Sequence, residues 1–334
     1  LLTVHPQVKN DRGEPTGADD VLDSEVVWAL PALEAGFYRM DASIIGRSAD
    51  TLSTTTTFAV IDQALGGPPH GSFGWTLPNG SEGILQRDLA TWLADLGVAW
   101  VKYPCWLDPD DTAAAEETAA LLSKLQDVGV QTIGMLDFPP ENQVANYAPQ
   151  GRRHLVAAQL FRDLHTWQPL LEPVMTRLTL KVRTWQLGAD RDDSFLGRPR
   201  LKESIQQIAA GLQGFGQPID LAISWPWLER ELSADEASWQ AVCRSSDPPL
   251  TAKELDAYLA LRESDSSGAG PRTWLLLDPV DKRQYDRETR IRDLVLRMAT
   301  VRSHRVQAAF VSNPRNPHHG LLHPNGRPDE LLLP

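Results

Sequence analysis

Two aspartates follow apolar segments in a way that could bring two carboxyl groups to one site. Asp190 ends the segment Trp185-Gln186-Leu187-Gly188-Ala189-Asp190, and Asp278 ends the segment Trp274-Leu275-Leu276-Leu277-Asp278. Cleavage of a glycosidic bond needs one carboxylic acid to protonate the leaving oxygen and a second carboxylate to attack or to activate water. The pair is therefore a candidate catalytic pair, with Asp190 as the acid and Asp278 as the nucleophile or base.

Tryptophans and charged side chains stand at the same kind of position, near the end of an apolar segment, and the chain has 11 tryptophans. An indole face stacks on the apolar C–H face of a pyranose, while carboxylates and arginine accept and donate hydrogen bonds at its hydroxyl groups. The candidate substrate-binding residues are Lys102, Trp106, Asp137, Trp185, Asp193, Trp225, Trp227, Arg244 and His318. We expect one of Trp225 and Trp227 to line the pocket. For Arg244, a substrate contact and an internal salt bridge both stay open.

Short apolar strands alternate with amphipathic helices from residue 73 onward, which is typical of βαβ units around a parallel sheet. The predicted strands are 72–77, 99–103, 131–136, 179–187, 220–224, 240–244, 272–277 and 306–311. The predicted helices are 83–96, 112–128, 152–167, 202–212, 227–232, 252–262 and 287–304. Eight units in about 260 residues fit a closed (β/α)8 TIM barrel of the α/β class, whose active site lies at the carboxyl ends of the strands. A doubly wound open sheet is the rival, but no glycine-rich phosphate motif follows any strand.

Residues 22–62 alternate in the manner of half-buried antiparallel strands. One run is Glu25-Val26-Val27-Trp28-Ala29-Leu30, and two further runs cover residues 37–45 and 55–61. Two prolines and three glycines between Gly66 and Gly71 then end any regular structure. We therefore place a domain boundary after residue 65, with a small partial β domain in 1–65 and the barrel in 66–334.

The composition excludes several classes of partner. The net charge of −12 and the pI near 5.1 argue against nucleic acid, because such binding depends on cations that neutralise phosphates. No apolar run reaches the length of about 18 residues that a membrane span needs. Cys105 and Cys243 belong to no metal-binding spacing, and we expect buried, inert thiols. The acidic run from Asp190 to Asp193 lacks the spacing of a calcium loop, so no metal or other cofactor is expected.

Residues 73–334 resemble the clan of retaining glycoside hydrolases whose barrel carries an acid/base glutamate after strand four and a nucleophilic glutamate after strand seven. The segment from Trp185 to Asp190 is similar to the first motif, with Ala189 for asparagine and Asp190 for glutamate. The segment from Trp274 to Asp278 is similar to the second, and the ending 320–328 is similar to the close of such barrels. The N-terminal strands resemble the end of an immunoglobulin-like accessory domain. The resemblance implies a carbohydrate ligand, further domains upstream, and a secreted, periplasmic or cell-surface protein.

The two aspartates depart from the family pattern, since each carboxyl group retracts by one C–C bond, roughly 1.5 Å. Retaining chemistry needs the carboxyls about 5–5.5 Å apart. A hydrolase would need both carboxyls within reach of one sugar and a raised pKa on Asp190. A catalytically inactive carbohydrate-binding or scaffolding barrel would have a tryptophan-lined groove, with the aspartates splayed apart or bonded to arginines. A third possibility is a structural barrel whose mouth is plugged by its own loops, with the segment 139–151 as the plug.

Overall fold

The computed structural model describes residues 32–45, 51–60, 69–78, 86–147, 156–229, 237–265, 270–323, 327–329 and 331. The predicted strand at 25–30 and most of the predicted linker lie outside the described residues. No helix among the described residues has both the length and the apolar character needed to cross a membrane.

An antiparallel hairpin precedes the barrel, as predicted. Strands β1 (Gly36–Ile45) and β2 (Thr51–Val60) pair so that Tyr38 lies opposite Phe58, and the two rings stack at 5.5 Å. Thr57 Oγ1 donates a hydrogen bond to the carbonyl of Pro328 at 2.7 Å, and Arg327 Nη1 donates to a β2 carbonyl. An isolated two-stranded ribbon is marginally stable in water. These contacts connect the hairpin to the segment that follows the last barrel strand.

Eight parallel strands form a closed barrel, which confirms the predicted fold class. In chain order they are β3 (Phe73–Thr76), β4 (Trp100–Pro104), β5 (Gln131–Leu136), β6 (Thr184–Leu187), β7 (Asp220–Pro226), β8 (Ala241–Ser245), β9 (Arg272–Leu276) and β10 (Ala308–Ser312). Each strand pairs with its neighbour in sequence, and β10 pairs with β3 to close the circle. The carboxyl ends of all eight strands therefore surround one mouth.

The helices pack on the outside of this barrel. They are α1 (Gln86–Asp95), α2 (Thr112–Asp127), α3 (Glu141–Tyr147), α4 (Ala157–Leu160), α5 (Leu164–Leu178), α6 (Leu201–Gln213), α7 (Ala252–Asp265) and α8 (Arg287–Ser303). In place of the predicted helix 227–232, residues 227–229 form a turn, and residues 230–232 lie outside the described part.

The predicted element boundaries before β6 were also wrong. The prediction placed a helix at 152–167 and started the strand at Thr179. The structure instead continues α5 through both prolines to Leu178 and starts the strand at Thr184. The reason is tertiary packing: the residues of α5 that face the barrel are buried at helical spacing, and this burial outweighs the lost backbone donors. These residues are Trp167, Leu171, Val174, Met175 and Leu178.

Large and small side chains alternate to fill the centre of the barrel. Trp274 on β9 and Phe310 on β10 pack edge to face with ring centroids 5.9 Å apart. The other buried members of this cluster are small or aliphatic and come from β5, β7, β8, β9 and β10: Ile133, Ala222, Ala241, Cys243, Leu276 and Ala308. The barrel is therefore packed below the mouth, and any site must lie above this layer.

Candidate functional site

Asp190 lies at the mouth, three residues beyond the end of β6. Gly188 adopts φ +86°, a left-handed conformation that turns the chain after the strand, and a Cβ there would lie 2.7 Å from Ala157 Cβ. This turn aims the Asp190 carboxylate back over the barrel. There it accepts hydrogen bonds from Lys102 Nζ at 2.6 Å and Gln186 Nε2 at 3.1 Å on Oδ1, and from Thr76 Oγ1 at 2.6 Å on Oδ2. All three contacts are donors, so the site is built for an ionised carboxylate.

Lys102 supplies the positive charge in this cluster. Strand alternation directs its side chain into the barrel, where no part of it is exposed. Its Nζ lies 4.4 Å from the centroid of the Phe310 ring and 3.1 Å from Cys243 Sγ. Burial lowers the pKa of Lys102, but the Asp190 charge and hydrogen bond oppose this, and the net direction is upward. Lys102 is therefore a buried ammonium group whose charge is balanced by Asp190.

The pKa of Asp190 moves in the opposite direction from that expected of a general acid. Burial by itself raises the pKa of Asp190, but the charge of Lys102 and the hydrogen bonds from Lys102, Thr76 and Gln186 hold it below its usual value. The hydrolase hypothesis required a raised pKa at this position. Asp190 is instead ionised throughout the neutral and mildly acidic range.

Asp278 occupies the corresponding place just beyond the end of β9. Ser312 on β10 donates from its backbone N–H to Oδ1 at 2.7 Å, and its hydroxyl lies within 2.7 Å of both carboxylate oxygens. Arg191 Nη2 donates to Oδ2 at 2.7 Å, while Arg297 Nη2 on α8 holds the backbone carbonyl of Asp278 at 3.0 Å. Arg191 adopts φ +65° directly after Asp190. Asp278 is therefore also paired with a cation, through a residue adjacent to the first aspartate.

Cys243 on β8 lies near both carboxylates. Its Sγ is 4.0 Å from Asp190 Oδ1. Burial, with contributions from the charges of Asp190 and Asp278, raises the pKa of the Cys243 thiol to about 12, although Lys102 opposes the shift. Cys243 and Cys105 are both free and buried. The thiol therefore stays protonated at neutral pH, in agreement with the prediction of an inert cysteine.

Three of the candidate tryptophans lie between the barrel strands and the surrounding helices, and not at the mouth. Trp185 packs over Gly134, where a Cβ would lie 2.5 Å from the indole, and its Nε1 donates to the Val182 carbonyl. Trp225 stacks on Trp239 at 6.2 Å. The cause is strand alternation: Gln186 and Ser224 point into the barrel, so their neighbours point towards the helices.

Trp227, the third of these tryptophans, and Arg244 lie in the layer between strands and helices. The Trp227 ring packs edge to face on Tyr258 of α7 at 4.6 Å. Arg244 follows the inward-facing Cys243 and is buried beside the same Tyr258, with which it forms a hydrogen bond. Burial lowers the pKa of Arg244 and Tyr258 opposes this shift. Neither side chain is brought to the two aspartates.

Four other candidates lie on loops at the mouth. Asp137 is buried directly after β5, and Asp193 is exposed after β6. His318 is half-buried after β10, where its carbonyl accepts a hydrogen bond from the Lys282 N–H of the β9 loop. Trp106, after β4, is only 4% exposed because Gln143 and Tyr147 of α3 and Phe161 pack on it.

Several residues around the aspartates had not been identified as site residues from the sequence. They are Thr76, Gln186, Arg191, Cys243 and Ser312. Thr76, Gln186, Cys243 and Ser312 lie on strands and point into the barrel, but their direction depends on the register of each strand, which the sequence alone does not give. Arg191 gave no signal in the sequence, because its direction depends on the turn at Gly188. Among the described residues no group of three or more His, Cys, Asp or Glu side chains is arranged to hold a metal ion.

The barrel resembles solved glycoside hydrolases. A family 39 glycoside hydrolase from the gut symbiont Bacteroides cellulosilyticus WH2 aligns with 92% of this chain and 70% of its own length, at 10% identity and a TM-score of 0.61. A family 5 xyloglucanase from Paenibacillus pabuli aligns over 81% of this chain and 97% of its own, at 12% identity and a TM-score of 0.56. The fold is glycoside-hydrolase-like.

A third structure of this type is a GH5_18 protein from Streptomyces cattleya in complex with Manβ1-4GlcNAc. It aligns with 79% of this chain and 78% of its own, at 14% identity and a TM-score of 0.54. No family model matches the chain, and no curated protein matches it. In this glycoside-hydrolase-like barrel, Asp190 and Asp278 follow the fourth and seventh barrel strands, β6 and β9.

Proposed function

We propose that this barrel binds carbohydrate at the carboxyl ends of its strands and does not hydrolyse it through Asp190 and Asp278. The observation that carries the proposal is the ion pair between Lys102 and Asp190 at 2.6 Å. A general acid must hold its proton near the working pH. The lowered pKa of Asp190 removes that proton.

The environment of Asp278 supports the same proposal. Both of its oxygens lie within hydrogen-bonding distance of Ser312, and one also accepts from the Arg191 guanidinium. Both carboxylate oxygens are therefore engaged by donors of the protein itself, and not by a sugar or a water to be activated. Among the alternatives derived from the sequence, the catalytically inactive barrel is the one that fits two aspartates paired with cations.

Carbohydrate is the ligand class that the structural neighbours favour. Besides the xyloglucanase, they include a broad-specificity endoglucanase and an endo-β-1,4-mannanase. We propose Trp106, Asp137, Asp193 and His318 as the ligand contacts, because these four candidates lie at the mouth. Lys102 serves Asp190 in this proposal, while Trp185, Trp225, Trp227 and Arg244 serve the packing of the barrel wall.

A turnover assay tests the absence of hydrolysis. Wild type and Asp278→Asn are compared on a panel of aryl glycosides and on mannan, xyloglucan and glucan. We expect both proteins to release no sugar above the buffer blank. Asp278→Asn suits this test because Arg191 is 39% exposed and can be hydrated once its partner is neutral. Product that wild type releases and a folded Asp278→Asn protein does not would overturn the proposal.

Binding is tested separately from turnover. Affinity electrophoresis in gels that contain each polysaccharide, followed by calorimetry with matching oligosaccharides, measures association directly. We expect retardation by at least one β-1,4-linked glycan. Unretarded migration in every gel would remove carbohydrate as the ligand.

Hydrolysis by the same two aspartates is the second candidate. Its support is their position, since both lie at one mouth after the fourth and seventh barrel strands. It requires Asp190 to take up a proton, and therefore to release Lys102. Wild-type turnover that both Asp190→Asn and Asp278→Asn abolish would establish it.

A further inference from the structure

We propose that Trp106 is a stacking surface for a pyranose ring and that α3 is a lid that covers it in this structure. The inference rests on the proposed carbohydrate-binding function and adds a conformational control of that site. Its starting point is the helix α3, seven residues long, which follows β5 at the mouth. Its two buried side chains, Gln143 and Tyr147, both contact Trp106.

The contacts between α3 and Trp106 are direct. Trp106 Nε1 lies 3.4 Å from Gln143 Oε1, and the rings of Trp106 and Tyr147 meet edge to face at 5.8 Å. Phe161 packs on another part of the Trp106 ring at 5.5 Å. An indole whose face could stack on a sugar is therefore covered by the chain itself.

The closed position is held in part by polar contacts that do not involve Trp106. They include Asn142 Nδ2 to Asp108 Oδ2 at 2.6 Å, which is exposed, and Gln159 Nε2 to the Tyr147 carbonyl at 2.7 Å. Within the described part of the chain, Gln143 Nε2 and the Tyr147 hydroxyl are buried without a hydrogen-bond partner. A buried polar group without a partner opposes burial. Both groups would gain water, or the hydroxyls of a bound sugar, if α3 moved away from Trp106.

These features distinguish α3 from a structural helix. The helix α5 buries a stripe of five large apolar side chains on the barrel, whereas α3 buries Gln143 and Tyr147 and half-buries Val144. Elements with little buried apolar surface open locally at low free energy. The geometry therefore assigns α3 to the part of the mouth that opens first, and Trp106 to the surface that opening exposes.

Hydrogen exchange measures the opening without any ligand. We expect the amides of α3 to exchange at least about 100-fold faster than those of α5. Asn142→Ala, which removes the bond to Asp108, should raise the exchange rate of α3 about two- to tenfold. Asn146→Ala, at an exposed position of the same helix, is the matched control and should leave the rate unchanged. If the amides of α3 and α5 are equally protected from exchange, the proposal that α3 is a lid is overturned.

A reversible crosslink tests what the lid covers. Asp108→Cys with Asn142→Cys, in a Cys105→Ala background that removes the thiol beside Trp106, is joined by a short bis-methanethiosulfonate reagent. Cys243 does not compete because it is buried inside the barrel. Mannohexaose or a xyloglucan oligosaccharide serves as the probe. We expect the crosslink to weaken binding at least tenfold, reduction to restore it, and the probe to protect the amides of residues 105–111 in the uncrosslinked protein.

The outcomes separate this inference from the proposed function. If the crosslinked protein binds the oligosaccharide as tightly as the reduced protein, the lid is overturned and carbohydrate binding stands. If no form binds any oligosaccharide, the proposed function fails and the assignment of Trp106 fails with it. Binding that the crosslink blocks, with protection of 105–111, supports both.

Discussion

The two aspartates hold corresponding places in the barrel but have counterions of different exposure. Lys102, the partner of Asp190, has no exposed surface, whereas Arg191, the partner of Asp278, is 39% exposed. A charge that water can reach survives the loss of its partner, and a charge inside the barrel does not. The Asp190 pair is therefore part of the folded core, and the Asp278 pair belongs to the surface of the mouth.

This difference in counterion exposure limits the chemistry that Asp190 could perform. A catalytic acid has to gain and lose its proton without disturbing the fold. Once a buried lysine depends on it for charge balance, protonation of Asp190 costs stability, because Lys102 is left as an unpaired charge above Phe310. Arg191 does not depend on Asp278 for charge balance in this way, since its guanidinium can turn to solvent or towards Asp247, 3.8 Å away.

The largest expected effect is the removal of the Asp190 carboxylate. Asp190→Ala should lower the free energy of unfolding by about 3–5 kcal/mol, because it leaves the Lys102 ammonium buried without a counterion. Urea denaturation followed by circular dichroism measures the change. The double variant Lys102→Met with Asp190→Leu is the matched control, and it should recover most of the loss because no buried charge remains. A double variant no more stable than Asp190→Ala would show that the hydrogen bonds of Thr76 and Gln186 matter more than charge balance.

The second-largest expected effect is the removal of the charge of Asp278. Asp278→Asn should lower the free energy of unfolding by only about 1 kcal/mol, since the amide keeps an acceptor for Ser312 and Arg191 is hydrated. The same urea titration gives the value. A loss for Asp278→Asn as large as that for Asp190→Ala would remove the distinction between a core pair and a mouth pair.

The barrel was predictable from the sequence because its signals are local and repeated. Apolar runs of strand length alternate with amphipathic helices, and the predicted bounds of β5 agree with the structure at both ends. The predicted helix 152–167 stopped short of the end of α5 at Leu178, because tertiary burial carries this helix through Pro169 and Pro173. The bounds of β5 followed from the local sequence pattern, whereas the end of α5 depended on its packing against the barrel.

The site was less predictable because it depends on side-chain direction. The sequence marked Asp190, Asp278 and Lys102, and the structure brings Asp190 and Lys102 within 2.6 Å. It could not place Trp185 or Trp225, since a shift of one residue in a strand reverses every side chain. Nor could it show that Arg191 would bond Asp278, because that contact joins segments 87 residues apart across the mouth.

The smallest expected effect comes from an ion cluster outside the barrel, where α7 meets the end of α8. His304 Nε2 lies 2.9 Å from Asp256 Oδ1, and its Nδ1 lies 3.3 Å from Glu263 Oε2. Burial lowers the pKa of His304, but hydrogen bonds to the two carboxylates raise it, and the net direction is upward. A raised pKa in the folded state means that the cluster stabilises the fold fully below about pH 6.5, the unfolded value, and loses this contribution as the pH rises through the folded value.

His304→Gln should therefore lower the free energy of unfolding by about 0.5 kcal/mol at pH 5.5, as for other partly exposed ion pairs, and by much less at pH 9. Urea titrations at the two pH values measure the difference, with Asn146→Ala, which changes an exposed residue that does not titrate, as the control that should show no such dependence. A His304→Gln loss that is the same at both pH values would mean that the imidazole acts through neutral hydrogen bonds. The exposure of the counterion would then predict the stability lost on removing a charge only for the two aspartates of the barrel, and not for the His304 cluster.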